Sequence, residues 1–328
     1  MSAPVPRRNL WVRWAAFFDE RQAGTSLALF RAACSLSLLY SIGSIVLHGM
    51  VPVIWLGPSD GGYTYPGEGP WLFHWLGGLT PTTLWGVVAA TLLAGLLLVL
   101  GGGGRLTALA ALLGYQALTG INTETVGAYD WLLTNALWLI VLARSTATLS
   151  LDCRLHSGHW HSDEKVPAWP RYLAIYQIVL VYWSTGMHKL SRSWVPGGGF
   201  SALYYILQEP TWQRWDMTWL ARCYPLTQFA TAITWIWEIS APLLLLVLWY
   251  RRTRQRPGRL RGLCNRLPLR GLWVAAGLAM HLGIMLFMDV GPFSLVAVSY
   301  YVCLFHPDEW RRYATRVTRL LRRPTSLS

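Results

Sequence analysis

Long apolar stretches, separated by short polar or glycine-rich segments, run through most of this 328-residue chain. A helix needs about 20 apolar residues to cross a hydrocarbon core of about 30 Å. The pattern predicts an all-α transmembrane bundle of about eight spans, with a range of seven to nine because the third, fourth and eighth stretches are short. The predicted spans are 26–50, 83–101, 105–121, 128–144, 170–190, 226–250, 269–289 and 292–306.

These spans divide the chain into three parts. Residues 1–25 form a cytoplasmic amino-terminal segment, residues 26–306 the transmembrane domain, and residues 307–328 a basic cytoplasmic tail. In the tail, WRRYATRVTRLLRR places apolar residues on one helical face and arginines on the other. This pattern predicts a short amphipathic helix that lies on the inner membrane surface.

Composition and charge support a membrane protein. Hydrophobic residues make up 53% of the chain and charged residues 13%, and the mean hydropathy is +0.33, which is typical of polytopic membrane proteins. A net charge of +13 on a soluble protein would indicate nucleic-acid binding. Here the basic residues fall between apolar spans, so the charge indicates orientation, and we expect the lipid bilayer rather than nucleic acid as the partner.

The distribution of basic residues predicts the orientation. Cytoplasmic loops of membrane proteins collect lysine and arginine. With the amino terminus in the cytoplasm, most of the 28 basic residues face the cytoplasm, Arg31 lies within the first span, and four face outward: Lys189, Arg192, Arg214 and Arg222. We therefore expect an even number of spans and both termini in the cytoplasm. Arg31 either snorkels to the inner headgroups or forms a structural ion pair.

Two cytoplasmic segments have distinctive polar sequences. The loop 251–270, RRTRQRPGRLRGLCNRLPLR, is expected to contact anionic lipid headgroups, at about 1 kcal/mol per basic residue near the surface. The segment HSGHWHSDEK places His156, His159 and His161 close together. Without a fixed scaffold this spacing favours a solvated loop, so we expect no metal site.

Polar residues within the sixth and seventh spans are candidates for function, because each costs a few kcal/mol in lipid unless it is partnered. Glu238 ends a polar stripe at helical spacing, and Pro242 removes the backbone donor that would bond the Glu238 carbonyl, which permits a bend. We expect Glu238 and His281 to lie at one level near mid-membrane. They either pair, directly or through water, or each is a packing residue that fixes helix register. The stripe consists of Thr227, Thr231, Thr234 and Glu238.

The fifth span ends within the stretch YWSTGMHKLSRSW, residues 182–194. Tyr182, Thr185 and Lys189 fall on one helical face, with His188 next to the lysine. Lys189 is either an anchor that reaches the outer membrane surface or a base in a protein-lined pocket. Lys165 and Lys189 are the only lysines among the 28 basic residues, and a buried lysine, unlike arginine, readily serves as a base.

The segment YWSTGMHKLSRSWVPGGGFSALYYIL resembles the (Y/F)xxxGxxKL…W…G segment of the HTTM family, the membrane domain shared with vitamin K-dependent gamma-carboxylase. LALFRAACSLSLLY, the Glu238–Pro242 pair and HLGIMLFMDVGPFSLVAVSYYVCLF agree with it, so the resemblance covers about residues 24–310. In the carboxylase the lysine of this segment is regarded as the base that activates vitamin K hydroquinone. The resemblance implies that role for Lys189, with a quinol (menaquinol or vitamin K hydroquinone) as the cofactor.

The chain also departs from the carboxylases. They use a histidine in an NNH-type segment, whereas the corresponding GINTETVGAYDWLL has none; Glu124, Asp130 or neither occupies the equivalent place. The large lumenal domain that recognises the carboxylase substrate is also missing from the sequence. We therefore expect a protein other than a complete gamma-glutamyl carboxylase.

Two functions remain open. The first is quinol-linked redox or proton-abstraction chemistry at an outward-facing pocket, with Lys189 and His188 as catalytic residues and Tyr182, Thr185, Asp130, Glu124, Glu238 and His281 as pocket residues. The second is a non-catalytic helper or transporter-like protein for maturation or export of a secreted peptide. Bacterial HTTM relatives of the sporulation-delaying-protein-B type suggest that alternative. They also imply a bacterial plasma (inner) membrane location.

Overall fold

The computed structural model describes residues 9–63 and 69–321, most of which are helical. One short antiparallel pair of strands, β1 (Arg21–Ala23) and β2 (Lys165–Pro167), places Gln22 opposite Val166. The helices are α1 (Leu10–Phe18), α2 (Thr25–Leu47), α3 (Val51–Trp55), α4 (Trp71–Trp75), α5 (Pro81–Leu100), α6 (Gly104–Thr119), α7 (Ala128–Leu142), α8 (Leu151–Ser157), α9 (Trp169–His188), α10 (Ala202–Ile206), α11 (Tyr224–Ile239), α12 (Ala241–Arg252), α13 (Arg259–Arg266), α14 (Leu269–Phe287), α15 (Phe293–Tyr301) and α16 (Pro307–Leu321).

Each predicted span coincides with helical structure, but the helices differ in their capacity to cross a bilayer. Within the described residues, α2, α5 and α14 are long and apolar enough, and the bent pair α11–α12 raises the number to four. Two further helical segments are apolar but shorter. They are α7 and residues 293–304, which include α15. The fold is thus mostly helical with three to four candidate membrane spans.

The bend predicted in the sixth span is confirmed. Helix α11 ends at Ile239 and α12 begins at Ala241, and the pair bends by 52°. Pro242 is the second residue of α12, where its missing N–H leaves no donor unsatisfied within the helix. Glu238 therefore lies in the last turn of α11, directly before the bend.

The described residues up to Ala174, together with those from Val302 onward, form one compact unit. Its centre is the packing of α2, α5, α6 and α7. Asp130 joins two of these helices, since one carboxylate oxygen accepts from the Gly127 N–H at 2.7 Å and the other from the hydroxyl of Tyr115 on α6. Both side chains are buried, so Asp130 caps α7 and fixes it against α6 at once.

Arg31 lies in this unit and is 1% exposed. Its guanidinium donates to the carbonyl oxygens of Ser145, at 2.8 Å, and Leu149, at 2.9 Å. The guanidinium is therefore directed into the protein, where it binds two loop carbonyls and interacts electrostatically with Asp152. Leu149 has φ of +49°, a strained value for leucine, and the Arg31 contact helps to hold it.

Ile175–Tyr301 forms the second compact unit. It contains most of α9 and all of α10 to α15. Trp237 of α11 stacks on Trp273 of α14, with ring centroids 4.4 Å apart. On α11 the polar stripe is largely buried, and Thr231 accepts a hydrogen bond from the Leu203 N–H of α10 at 3.1 Å. These contacts fix α11 against α10 and α14.

At the end of the described chain, α16 confirms the helix predicted for the basic tail. Tyr313 and Val317, one turn apart on its apolar face, are exposed. Its position on a membrane surface stays a prediction.

Candidate functional site

Lys189 forms an ion pair with Glu238. The lysine directly follows α9, and its ammonium donates to Oε2 of the carboxylate at the end of α11. The side chains of Lys189 and Glu238 are only 15% and 6% exposed. The geometry thus supports the protein-lined position rather than a lysine directed into headgroups. Of the alternatives for Glu238 and His281, direct pairing is not observed, because Glu238 pairs with Lys189 and His281 contacts Tyr182 and Ser294.

A glycine permits the close approach that makes this pair. Gly186 is buried on α9, and a Cβ at that position would lie 2.9 Å from the Glu238 Cβ and 3.0 Å from the Ile239 nitrogen. Both distances are shorter than ordinary van der Waals contact. Only glycine lets the two backbones approach in this way. Lys189 also lies just past the carboxyl end of α9, where the helix dipole favours a cation.

Trp194 completes the surroundings of the amine. It lies in a single 3₁₀ turn, Arg192–Trp194, and its ring centroid is 4.4 Å from the lysine Nζ. A carboxylate and the face of an indole ring therefore both contact the ammonium, and both interactions favour a positive charge there. We call Lys189, Glu238 and Trp194 the lysine site.

A second polar cluster is buried in the same unit. The Tyr182 hydroxyl is 2.7 Å from His281 Nε2 and 2.9 Å from the Tyr301 hydroxyl, and His281 Nδ1 is 3.1 Å from Ser294 Oγ. His281 is 1% exposed. Each of these four groups can both donate and accept, so the cluster is hydrogen-bonded throughout and joins α9, α14 and α15. We call it the histidine cluster.

Aromatic rings enclose the histidine cluster and connect it to the lysine site. The Tyr182 ring packs edge-on against Trp237 at 4.5 Å, and Trp237 immediately precedes Glu238. Gly277 leaves room for this packing, because a Cβ there would lie 2.6 Å from the Trp237 ring and would also meet the Tyr301 hydroxyl. Tyr182 lies seven residues before Lys189, on the same face of α9. The two clusters are therefore adjacent, since Tyr182 precedes Lys189 by two helical turns and its ring contacts the residue before Glu238.

Two residues of the predicted pocket lie outside this arrangement. Thr185 is exposed, and its hydroxyl donates to the Val181 carbonyl at 2.7 Å. His188 is also exposed, with Nδ1 at 2.8 Å from the Ser184 carbonyl oxygen. Each side chain is hydrogen-bonded to the backbone carbonyl of the residue four positions earlier in its own helix. The structure therefore does not bring either residue to the lysine amine.

Asp130 and Glu124 have other surroundings as well. The carboxylate of Asp130 is bonded to Tyr115 and to the Gly127 N–H, so both of its oxygens have structural partners. Glu124 is exposed in a 3₁₀ turn whose cap is Asn122. Neither observation gives these residues a part in the lysine site.

Sequence reasoning missed several members of both clusters. Trp194 stands five residues after Lys189, within the KL…W motif, and that spacing was the available signal. Tyr301 and Ser294 gave no individual signal, because single polar or aromatic residues in apolar helices are common.

The lysine site brings an amine and a carboxyl group together in a place with little water. Such a pair exists either as ammonium with carboxylate or as amine with carboxylic acid, and one proton transfer interconverts the two. In the second form the amine can accept a proton from another acid. The arrangement is therefore chemically competent for proton transfer.

Comparison with known proteins adds a family assignment. No curated protein matches the chain, and no solved structure matches it. The model of the HTTM domain matches residues 20–255, a region that includes the whole lysine site, whereas His281, Ser294 and Tyr301 lie beyond it. Since the match covers more than half of the sequence, the chain belongs to the HTTM family.

Proposed function

We propose that this chain is a membrane protein of the vitamin K carboxylase-like class whose lysine site transfers protons to and from the acidic hydroxyl of a small apolar substrate. Membership of the HTTM family supports the class. The observation that carries the proposed chemistry is the shielded ion pair of Lys189 and Glu238. A quinol, either menaquinol or vitamin K hydroquinone, is the substrate class that the family resemblance favours.

The proposed step conserves atoms and charge. The ammonium of Lys189 first gives a proton to Glu238, which leaves a neutral amine beside a carboxylic acid. Separated charges are poorly solvated in a dry environment, so the neutral pair is accessible there. The amine then removes the hydroxyl proton of the substrate and becomes an ammonium again. The resulting oxyanion lies beside that ammonium, and Glu238 retains the first proton.

Trp194 has a place in the same step. Its ring lies against the Lys189 amine, so it stabilises the ammonium that forms when the substrate is deprotonated. It also offers a flat apolar surface to an aromatic substrate. A quinol suits this site because it has an acidic hydroxyl for the amine and an aromatic ring that can lie on the indole.

We further propose eight membrane spans, with both termini in the cytoplasm and the protein in a bacterial plasma membrane. Helices at the eight apolar stretches and the concentration of arginine in alternate loops support this topology. The shorter α6, α7 and α15 would cross where the bilayer thins locally.

The proposal is tested by turnover. Purified protein in lipid nanodiscs receives menaquinol or vitamin K hydroquinone with oxygen, and quinone and epoxide products are quantified by mass spectrometry. We expect product from the wild type and none above background from Lys189→Ala. Lys165→Ala is the matched control, since Lys165 is the other lysine and is exposed on β2, and it should retain full turnover.

The outcomes separate the two candidate functions. Unchanged turnover in Lys189→Ala would refute the proposed base. If the wild type consumes no quinol, and cellular function survives Lys189→Ala but not Glu238→Gln, a non-catalytic role in maturation or export of a peptide replaces the proposal.

A further inference from the structure

A polar cavity of about 550 Å³ lies within the first unit, where α6, α7 and α8 meet. Arg105 and Arg144 line it together with Asp152 and Glu164, and the hydroxyl-bearing Ser145 and Thr146 lie between them. The proposed proton-transfer chemistry uses none of these residues. A volume in this range is typical of small-molecule sites and is larger than a single phosphate requires.

The walls of the cavity are held by specific contacts. Asp152 accepts the Gly103 N–H at 2.9 Å, just before the first turn of α6. Arg105 donates to the Leu142 carbonyl at the end of α7, at 3.3 Å. Behind the cavity, the buried Arg31 fixes the Ser145 carbonyl. The charged groups are therefore presented by ends of helices and by a braced loop.

The position of the cavity along the helices indicates what surrounds it. Helix α5 ends at Leu100, α6 begins at Gly104 and α7 ends at Leu142. The ends of apolar helices lie where hydrocarbon gives way to lipid headgroups. In the proposed topology the cavity therefore lies at headgroup level.

The charges of the lining select among ligands. Two arginines and two carboxylates cancel formally, so a simple anion is attracted by the arginines and repelled by the carboxylates, and a simple cation meets the reverse. A zwitterion satisfies both sets. Guanidinium groups bind phosphate with two parallel hydrogen bonds, and carboxylates bind ammonium groups.

We propose that this cavity binds a zwitterionic phosphate ester that carries a primary ammonium group. The phosphate lies at Arg105 and Arg144, and the ammonium lies at Asp152 and Glu164. Arg144 and Glu164 pair with each other, but their side chains are 50% and 43% exposed, and exposed ion pairs contribute little to stability. The ligand separates the two side chains, with its phosphate bound to Arg144 and its ammonium group bound to Glu164. An ethanolamine phospholipid and free O-phosphoethanolamine both have this chemistry.

The test measures binding to the full chain, purified in detergent and stripped of lipid. The probes are short-chain phosphatidylethanolamine, short-chain phosphatidylglycerol, O-phosphoethanolamine and inorganic phosphate, and native mass spectrometry gives the bound fraction. We expect phosphatidylethanolamine to bind more tightly than phosphatidylglycerol. Arg144→Gln and Glu164→Gln should each weaken it about tenfold, the expected size for one lost charge-assisted contact. Arg154→Gln, an exposed arginine on α8 outside the lining, should bind as the wild type does.

Other arms distinguish the sources of the ligand and guard against misfolding. Comparable binding of O-phosphoethanolamine indicates a soluble ligand, whereas binding of the lipid alone indicates a headgroup. The double variant Arg144→Glu with Glu164→Arg retains the ion pair and should fold, yet a headgroup tethered by its acyl chains cannot reverse, so lipid binding stays weak. Equal binding of both lipids, stronger binding of inorganic phosphate, or wild-type affinity in Arg144→Gln and Glu164→Gln would overturn the proposal.

Discussion

Gly186 and Glu238 lie so close that a single methyl group cannot fit between them: a Cβ on Gly186 would be 2.9 Å from the Cβ of Glu238. The contact fixes the distance between the end of α9 and the end of α11. It therefore also determines whether Lys189, three residues further along, meets the carboxylate. A residue without a functional group of its own therefore controls the geometry of the ion pair.

Gly186→Ala should consequently destabilise the protein and disrupt the lysine site. The new methyl group meets the backbone nitrogen of Ile239, which cannot rotate away, so we expect a loss of about 1–3 kcal/mol and a large fall in quinol turnover. Thermal unfolding and turnover measure the two effects. Gly43→Ala is the control, because a Cβ at Gly43 on α2 meets nothing within 4 Å; it should be neutral or slightly stabilising. Equal behaviour of the two variants would contradict the role of Gly186.

Glu238→Gln should be more damaging than its small change in shape suggests. It leaves the Lys189 ammonium shielded from water without a counter-charge, a situation that costs about 3 kcal/mol. The double variant Lys189→Met with Glu238→Gln removes both charges and should regain part of the lost stability, since no buried charge is left without a counter-charge. Its turnover should stay at background. If stability recovers and turnover does not, the two residues are needed for turnover itself and not only for folding.

A different result would show that the pair is not coupled. If the double variant is as unstable as the sum of its single variants, Lys189 and Glu238 act independently in folding. Unfolding in denaturant on all four members of the cycle gives this comparison.

Tyr182→Phe tests the histidine cluster. Loss of one hydroxyl leaves both His281 Nε2 and the Tyr301 hydroxyl short of a partner in a buried place, so we expect a loss of about 1–3 kcal/mol. Tyr176→Phe on the same helix is the control, because Tyr176 is exposed, and it should change stability little. A similar small effect of both variants on the unfolding midpoint would show that the cluster does not contribute to stability.

Asp130→Asn separates a structural carboxylate from a catalytic one. The change weakens the cap of α7 and the bond to Tyr115, so stability should fall by about 1–2 kcal/mol. Turnover per folded molecule should stay unchanged, since Asp130 has its partners within the first unit. Glu124→Gln, in an exposed turn, should alter neither quantity. A loss of turnover in Asp130→Asn without loss of stability would restore the catalytic interpretation.

Local sequence patterns predicted those features that depend on local physics. Apolar length placed the helices, and the missing donor of Pro242 placed the bend between α11 and α12. Selection of lysine instead of arginine at position 189 drew attention to the residue that the structure places in a shielded pair.

Partners were harder to predict, because they depend on how helices pack. Helical spacing placed Thr185 on the face of Lys189 but gave no information on which part of that face is buried. Glu238 and His281 were matched by depth along their helices, yet depth does not specify how each helix is rotated about its axis. Glu238 contacts Lys189 and His281 contacts Tyr182 instead. Trp194 lies in an irregular segment, where no periodicity exists to predict its direction.

The orientation in the membrane can be tested with the protein's own cysteines. Cys223 stands on the outer side in the predicted topology and Cys264 in the cytoplasmic loop, and both are partly exposed. We expect a membrane-impermeant maleimide to label Cys223 in intact cells and Cys264 only after permeabilisation, as read by mass spectrometry of the purified chain. Cys153, also cytoplasmic in that topology, is buried, so it would resist labelling from either side and cannot report the orientation.

Cys223→Ser removes the expected label and verifies its position. Labelling of Cys264 in intact cells, with Cys223 reacting only after permeabilisation, would reverse the orientation and place the Lys189 amine at the cytoplasmic face.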